Sequence, residues 1–321
     1  MNYIAKWDGT SWSALSGPSG TGLNGTVKTL IVYDDGGGEG LFAGGYFTQA
    51  GGVTVNGIAK WDGSSWSALS GPAGVGVESI TFDQLYVAAL AVYDDGAGQA
   101  LYAGGFFHIA GGITVNHIAK WDGSAWSALI GSSGTGVESS GSVKALVVYD
   151  DATGPALFVG GWFEFAGEIL TRRIAKWNGS EWTALNGPSG AGMEHAVYSL
   201  AVHDDGAGER LYAGGRFVSA GGIEANFIAK WDGNVWSGLT GPADNGMIHT
   251  ALESSIYQSV SALASFNDGS GPALFAGGDF TSAGGWPSSN IAKWACENLL
   301  FIDGFESGDT SRWEESIGEV P

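Results

Sequence analysis

Short apolar segments alternate with polar, glycine-rich segments along almost the whole chain. A nearly continuous apolar run of seven residues recurs five times, and each run ends in an acidic or polar turn. Runs of this length that are rich in Val, Leu and Tyr and bounded by Gly and Asp are typical of β-strands. A strand that is apolar on both faces is expected to be buried, so we interpret these runs as innermost strands. They cover residues 27–33, 87–93, 143–149, 197–203 and 260–266.

Three further strand-like elements recur in a constant order. The first is Leu-aromatic-small-Gly-Gly, the second is Ile-Ala-Lys-Trp, and the third is a short segment centred on Trp. The last two are joined by Asp-Gly-Xaa-Xaa or a close variant, which is a hairpin signal. Copies of Ile-Ala-Lys-Trp are 54 to 63 residues apart and begin at Ile4, Ile58, Ile118, Ile174, Ile228 and Ile291.

Four antiparallel strands per repeat, arranged radially, predict an all-β fold of the β-propeller type. Five first strands predict a five-bladed β-propeller over residues 1–295, followed by an acidic C-terminal tail at residues 296–321. The third strand occurs once too often, because the copies at Ile4 and Ile291 compete for one place. We expect the ring to be closed by N- and C-terminal strands in one blade. The surplus copy is then displaced, or donated to a neighbouring molecule, or left because an upstream part is missing.

Composition narrows the class of protein. Glycine accounts for 56 of 321 residues, and the 44% of hydrophobic residues can supply a core, which excludes disorder. A formal charge of -20 makes nucleic acid an unsuitable partner. Cys296 is the single cysteine, so no intrachain disulfide forms. No apolar run is long enough to span a membrane, and the N-terminal residues do not resemble a signal peptide.

The repeats resemble two known groups of proteins. Gly-Gly followed by an aromatic residue, with a Trp near the fourth strand, resembles the kelch repeat of galactose-oxidase-type propellers. Ile-Ala-Lys-Trp-Asp-Gly more closely resembles repeats of secreted bacterial propeller proteins and of fungal cortical-marker ectodomains, over residues 2–294. Residues 305–313 resemble a segment at the C-terminal ends of secreted bacterial proteins. The resemblance implies an extracellular or cell-surface propeller. Kelch repeats carry Tyr where Trp7, Trp61 and Trp121 stand, and the copper site of galactose oxidase has no counterpart here.

Residues that are constant between repeats are interpreted as scaffold. Eleven of the 14 Trp fall at two repeated positions and are predicted to pack between blades. Six of the eight Lys belong to Ile-Ala-Lys-Trp and are predicted to form a repeated ion pair or to lie along apolar surface. Acidic turns follow the first strands. Asp favours turns because its side chain hydrogen-bonds its own backbone, and binding of calcium by these carboxylates is the alternative interpretation. These aspartates are Asp34, Asp35, Asp94, Asp95, Asp150, Asp151, Asp204, Asp205 and Asp268.

Residues that differ between repeats are the candidates for binding. Antiparallel order predicts that the second-to-third loops and the blade connections share one face, where the repeats diverge. Aromatic and charged side chains there could stack on sugar rings and bond hydroxyl groups, or could be drifting surface positions. The candidates are Tyr46, Phe106, His108, Trp162, Glu164, Arg172, Arg173, Arg216 and Asp279.

The blade connections carry a second candidate group, Glu78, Glu138 and Glu194, with His195 and His249 nearby. If these carboxylates cluster at the mouth of a central channel, mutual repulsion would raise their pKa values and permit glycoside hydrolysis. Duplication alone also explains their recurrence. No phosphate-binding loop and no nucleophile elbow is present, and no cofactor is expected. The sequence therefore predicts a secreted or cell-surface, non-enzymatic propeller that serves as a binding or structural module, with recognition of a glycan or surface polymer on the divergent face as its leading mechanism. Self-assembly through the terminal strands and carbohydrate hydrolysis are the alternatives.

Overall fold

The computed structural model describes residues 2–17, 20–80, 85–138, 140–187, 190–239, 246–248, 258–269, 271–295 and 300–301. Every regular element in these ranges is a β-strand, which confirms the all-β prediction. No helix in the described residues is long and apolar enough to cross a membrane. The chain forms two compact units, residues 1–185 and residues 186–321.

Five antiparallel sheets repeat the same strand order, which runs first, second, third, fourth from one edge to the other. Sheets 1 to 3 belong to the first unit, and sheets 4 and 5 belong to the second. The prediction of four-stranded antiparallel repeats is therefore confirmed. Sheet 1 comprises Thr26–Asp34, Glu39–Tyr46, Ile58–Trp61 and Trp66–Ala68; sheet 2 comprises Tyr86–Asp94, Gln99–Phe106, Ile118–Trp121 and Trp126–Ala128; sheet 3 comprises Ser142–Asp150, Pro155–Trp162, Ile174–Trp177 and Trp182–Ala184; sheet 4 comprises Val197–Asp204, Glu209–Gly215, Ile228–Trp231 and Trp236–Gly238; sheet 5 comprises Ser259–Asn267, Pro272–Asp279, Ile291–Ala295 and Leu300–Phe301.

A small hairpin lies at one end of every four-stranded sheet. An outer hairpin, defined as the two short strands between the second and third strands of a sheet, occurs in each repeat. The residues that connect one repeat to the next pair with this hairpin, as Val77–Glu78 does with Ile109–Ala110. The outer hairpins are Gln49–Ala50 with Val53–Thr54, Ile109–Ala110 with Ile113–Thr114, Phe165–Ala166 with Ile169–Leu170, Ser219–Ala220 with Ile223–Glu224, and Ser282–Ala283 with Trp286–Pro287. The remaining short strands are Ser16–Gly17, Gly20–Thr21, Ile130–Gly131, Gly134–Thr135, Asn186–Gly187, Gly190–Ala191 and Met247–Ile248.

Each glycine of the Gly-Gly pair has its own steric reason. A Cβ at Gly104 would lie 2.4 Å from Cγ1 of Val143, which belongs to the next sheet. A Cβ at Gly105 would lie 2.0 Å from the carbonyl oxygen of Tyr86 in its own sheet. Close packing leaves no room for a methyl group at either position. The same clash with a valine of the next sheet recurs at Gly44 and Gly214.

Tryptophans fill the space between neighbouring sheets of the first unit, as predicted. Trp126 is buried, and its Nε1 donates to the carbonyl oxygen of Leu69 in the preceding sheet, at 3.2 Å. Trp121 and Trp126 also form a tilted pair within their own sheet, with ring centroids 5.3 Å apart. Buried tryptophans at these two repeated positions are Trp66, Trp121, Trp126, Trp177, Trp182, Trp231 and Trp236.

The first strands lie at one sheet edge, but they are not uniformly buried. Leu90 is buried in sheet 2, whereas Leu30 and Val32 of sheet 1 and Phe266 of sheet 5 are exposed. The prediction that every first strand is buried on both faces is therefore wrong for the sheets that begin and end the series. Sheets 1 and 3 pack against the first strand of sheet 2 from its two sides, and this packing buries it.

Short strands also lie at the two ends of the chain. Among the described residues, Ala5–Trp7 pairs with Trp12–Ala14 in a two-stranded sheet of its own, which we call the N-terminal hairpin. Sheet 5 takes Ile291–Ala295 as its third strand and obtains a fourth strand from Leu300–Phe301. Two residues of the predicted tail therefore complete a sheet. The other tail residues, including Cys296, lie outside the described ranges, as does His249.

Candidate functional site

The predicted binding residues that follow Gly-Gly lie at one end of their sheets. Phe106 is the last residue of its second strand and stands opposite Tyr86, the first residue of the first strand. Trp162 and Tyr46 occupy the same position in sheets 3 and 1, opposite Ser142 and Thr26. We call Tyr46, Tyr86, Phe106 and Trp162 the aromatic rim of the first unit. Tyr46 and Trp162 expose 54% and 43% of their surface.

The second unit carries polar residues at this position. Asp279 ends a second strand opposite Ser259, and Arg216 directly follows Gly215. The backbone amide of Arg216 donates to the carbonyl oxygen of Ala196, and both predicted residues are half-buried. The aromatic positions are thus confined to the first unit.

A β-bulge lies close to the start of every first strand. In sheet 1 the pairing shifts between Val27 and Thr29, which leaves Lys28 as the extra residue. In sheet 3 the shift between Val143 and Ala145 does the same for Lys144. Bulges redirect a side chain relative to the regular pleat. We refer to Lys28 and Lys144 as the bulge lysines.

Both bulge lysines lie against Tyr86 of the sheet between them. Lys144 Nζ lies 4.6 Å from the centroid of the Tyr86 ring and hydrogen-bonds the tyrosine hydroxyl. Lys28 Nζ lies 5.5 Å from the same centroid. The Tyr86 ring in turn stacks on Phe106, with centroids 6.2 Å apart and planes inclined by 29°. Cations are attracted to the electron-rich face of such rings. Sequence reasoning did not find Tyr86 or the bulge lysines, because the bulge is invisible within an apolar run.

Trp162 is held by a buried arginine. The guanidinium carbon of Arg173 lies 4.4 Å from the centroid of the Trp162 ring. Arg173 Nη2 also pairs with Oε1 of Glu164, at 2.7 Å. The Arg173 side chain is about one-tenth exposed, and its Nε has no hydrogen-bond partner in the described structure. Arg172 is exposed. These contacts fix the plane of the exposed indole without covering it.

His108 was predicted as a candidate ligand-binding residue, and the structure shows that it is buried. Its ring packs edge-on against His117, with centroids 4.6 Å apart, and His117 contacts Phe106 at 5.2 Å. His108 Nδ1 also lies 3.4 Å from Ser79 Oγ. Direct contact between His108 and a surface ligand is therefore excluded in this conformation. The sequence missed His117, which lies beneath the aromatic rim.

The residue before each Ile-Ala-Lys-Trp has a left-handed backbone. Arg173 has φ of 73° and His117 has φ of 68°. Residues other than Gly rarely adopt this conformation, and such strain is retained only where surrounding contacts impose it. Arg173, which contacts Trp162, and His117, which contacts Phe106, both occupy this backbone position. Its occupants are Tyr3, Gly57, His117, Arg173, Phe227 and Asn290.

Two of the connection carboxylates, Glu138 and Glu194, accept hydrogen bonds from residues at the outer hairpins of their own units. Glu138 Oε1 accepts the backbone N–H of Glu164 at 2.6 Å. Glu194 accepts the N–H and the hydroxyl of Ser219 at 2.9 and 2.7 Å. Asn24 plays the same part in sheet 1. The strand that contains Glu78 pairs with its outer hairpin too. A side-chain oxygen at this position of the connection accepts backbone N–H groups that would otherwise lack a partner, which explains why such residues recur there.

The second aspartate of each turn is paired with the lysine of its own repeat, which confirms the predicted ion pair. Lys120 Nζ lies 2.5 Å from Asp95 Oδ2, and Tyr102 donates to the same oxygen at 2.9 Å. Burial by itself would raise the pKa of Asp95, but the hydrogen bonds from Lys120 and Tyr102 hold it below its usual value. The pairs are Lys60–Asp35, Lys120–Asp95, Lys176–Asp151, Lys230–Asp205 and Lys293–Asp268.

The first aspartate of each turn closes its own loop. Asp34 Oδ1 accepts the N–H groups of Gly36 and Gly38, each at 2.9 Å. Asp94, Asp150 and Asp204 repeat this arrangement. No group of three His, Cys, Asp or Glu side chains suited to a metal ion occurs among the described residues. A groove at this end, lined by Asp35, Lys60, Trp121 and Asp122, consists of the same scaffold residues.

Comparison with known proteins gives little further information. No family model and no curated protein matches the chain. Two solved structures of the extracellular domain of BT4673 from B. thetaiotaomicron are similar to it, one described as a one-component and the other as a hybrid two-component system. They are 12% and 11% identical over 87% and 94% of this chain, with TM-scores of 0.27 and 0.32. The chain spans 35% and 38% of their lengths. Neither similarity is close enough to transfer a fold or an activity.

Proposed function

We propose that this chain is an extracellular β-propeller module that binds a glycan through the aromatic rim of its first unit. The observation that carries the proposal is the exposure of Tyr46 and Trp162, whereas most aromatic side chains of the repeats are buried. Aromatic faces beside polar groups are the usual platform for sugar rings. The resemblance of the repeats to secreted propeller proteins supports an extracellular location.

The immobilised indole of Trp162 supports the proposal further. A platform that Arg173 and Glu164 already hold in place loses little side-chain entropy when a ligand stacks on it. Hydrogen-bonding groups for sugar hydroxyls are nearby, on Glu164 and Arg172.

Retention of the protein in gels that contain soluble polysaccharides tests the proposal. We expect Trp162→Ala to abolish the retardation that wild type shows with the best polysaccharide, and Trp162→Phe to restore part of it. Trp286→Ala is the matched control, because Trp286 is also exposed but lies in an outer hairpin of the second unit. Equal retardation of wild type and Trp162→Ala, or absence of retardation with every polysaccharide, would contradict glycan binding at the rim.

We further propose that the five sheets close into a ring. Exposed apolar residues on the first strands of sheets 1 and 5, including Leu30, Val32 and Phe266, favour closure because it would bury them. In sheet 5 a Cβ at Gly277 would meet no described atom closer than 3.8 Å. In a closed ring Val27 would cover Gly277 as Val143 covers Gly104.

Substitution of Gly277 by Ala tests closure. A closed ring predicts that Gly277→Ala lowers the midpoint of thermal unfolding about as much as Gly104→Ala does. If Gly277→Ala leaves the midpoint unchanged while Gly104→Ala lowers it, the ring is open at sheet 5 and the closure proposal fails.

Self-association is a second candidate function, which the N-terminal hairpin favours. Trp7 and Trp12 expose 50% and 61% of their surface, whereas most of their counterparts are buried. An exposed pair of tryptophans is a candidate surface for contact with another chain. Light scattering at high protein concentration tests this candidate. This candidate is supported if wild type is oligomeric and the Trp7→Ser and Trp12→Ser variants are monomeric. A monomeric wild type would exclude it.

A further inference from the structure

Most lysines of this acidic chain are neutralised by the scaffold. Five of the eight pair with an aspartate of their own repeat, and Lys6 lies exposed on the N-terminal hairpin. Lys28 and Lys144 remain. In the described part of the chain, no carboxylate lies within 4.0 Å of either ammonium group.

The fold brings these two remaining charges together. Lys28 and Lys144 come from sheets 1 and 3, and both side chains reach the ring of Tyr86 in sheet 2. Two like charges on one ring repel each other, and the attraction of the ring offsets only part of this repulsion. An anion bound between the two ammonium groups would remove the repulsion. Lys28 is exposed and Lys144 is half-buried, so an anion from solution can approach both.

We infer that the bulge lysines and Tyr86 bind the acidic group of an anionic sugar residue. Lysine ammonium groups act as compact positive charges with three donors, which suits the oxygens of a carboxylate or sulfate. Phe106 stacks beside Tyr86 and offers the apolar surface that the ring of the same sugar needs. A sugar that carries an acidic group matches both features, whereas a free inorganic anion matches one. This inference rests on the proposed glycan-binding function and names the class of sugar.

The net charge of -20 does not oppose this assignment. At physiological ionic strength, exposed charges farther away than about 8 Å are largely screened. The aspartates of the acidic turns are at the opposite ends of the first strands from the bulge lysines, and five of the nine are already paired with lysine. At the rim itself, Glu164 pairs with Arg173 and Glu138 accepts a backbone N–H, whereas no described carboxylate lies within 4.0 Å of either bulge lysine. A binding constant that depends on two ammonium groups is expected to weaken as salt is added.

Isothermal titration of the full chain with three oligosaccharides of equal length tests the inference. The probes are oligogalacturonate, a sulfated galactan oligosaccharide and neutral galactan. We expect wild type to bind at least one acidic probe at least tenfold more tightly than the neutral one. We expect Lys28→Met and Lys144→Met each to remove most of this preference. Preference for the uronate or for the sulfate identifies which acidic group is recognised.

Lys6→Met is the matched control, because it removes one lysine charge from an exposed site outside the rim. Tyr86→Phe tests the ring and hydroxyl separately, since it retains the ring and loses the hydrogen bond to Lys144. Equal weakening by Lys6→Met would overturn the inference, as would no weakening by either bulge-lysine variant. Equal affinity of wild type for neutral and acidic probes would overturn it while leaving glycan binding intact. Absence of binding to all three probes and to the polysaccharide gels would overturn both proposals.

Discussion

Lys60 reaches across its sheet to Asp35, with Nζ 2.5 Å from Oδ1, and the same pair recurs in each of the five four-stranded sheets. Both side chains are about one-tenth exposed. Lys60 also donates to the carbonyl oxygen of Gly38, at 2.8 Å, so the pair ties the third strand to the turn after the first. Each repeat is therefore held internally by one buried charge pair.

Removal of one partner of this pair leaves a buried charge without compensation. We expect Lys60→Met to lower the free energy of unfolding by about 3 to 5 kcal/mol, because Asp35 then remains charged and poorly solvated. Lys6→Met, at the exposed copy of the same motif, should change it by less than about 0.5 kcal/mol. Urea denaturation measures both values. If the two variants are equally stable, the ion pair does not contribute as described.

The first glycine of Gly-Gly is required by the next sheet. We expect Gly104→Ala to destabilise the protein by about 1 to 3 kcal/mol, because the new methyl group meets Val143. Val143→Ala in the same chain should recover part of this loss by making room. A double-mutant cycle with urea denaturation measures the coupling between the two positions. Additive losses would mean that Val143 is not the obstacle.

His203 should make the stability of the second unit depend on pH. Burial lowers the pKa of His203, and the nearby Asp205 and Asp204 offset this only in part. The unfolded chain then binds a proton more readily than the folded chain. His203 therefore contributes full stability above its unfolded pKa of about 6.5, and this contribution is lost as pH falls from there through the lowered pKa.

His203→Tyr provides the matched variant, because Tyr33 and Tyr93 occupy the equivalent positions and donate to the neighbouring sheet. The difference between the thermal midpoints of variant and wild type should widen in favour of the variant between pH 6.5 and pH 5. The other histidines are present in both proteins and cancel. A difference that stays constant over this range would show that His203 titrates normally.

Calcium should leave the stability unchanged. Asp34 bonds the backbone of its own turn, and Asp35 is occupied by Lys60, so a cation would have to displace existing contacts. We expect the thermal midpoint in millimolar calcium to equal that in EDTA. A rise of several degrees with calcium would show that the acidic turns bind the ion despite these contacts.

The repeated scaffold was predicted well from the sequence because the same residue types recur at equivalent positions in every repeat. The ion pair of Lys60, the packing of Trp126 and the four-stranded order all follow from positions that recur. The site was harder to predict. Tyr46, Phe106 and Trp162 were found as positions that differ between repeats. His108 was found in the same way but is buried, and Glu138 and Glu194 accept hydrogen bonds from residues at the outer hairpins.

Two determinants of the site leave no local sequence signal. The bulges that place Lys28 and Lys144 beside Tyr86 depend on register, and register is a property of paired strands. The left-handed backbone at Arg173 recurs before every copy of Ile-Ala-Lys-Trp, although only Gly57 is a glycine at this position. The one available hint was a lysine within an apolar run in two of the five repeats.

Hydrogen exchange of the protein with and without a bound polysaccharide tests glycan recognition at the aromatic rim most directly. We predict slower exchange at the ends of the second strands near residues 46, 106 and 162, and at the first-strand starts near residues 28, 86 and 144. Exchange in the acidic turns near residues 35 and 95 should remain unchanged. Protection of the acidic turns, or unchanged exchange at the rim under saturating polysaccharide, would contradict this account.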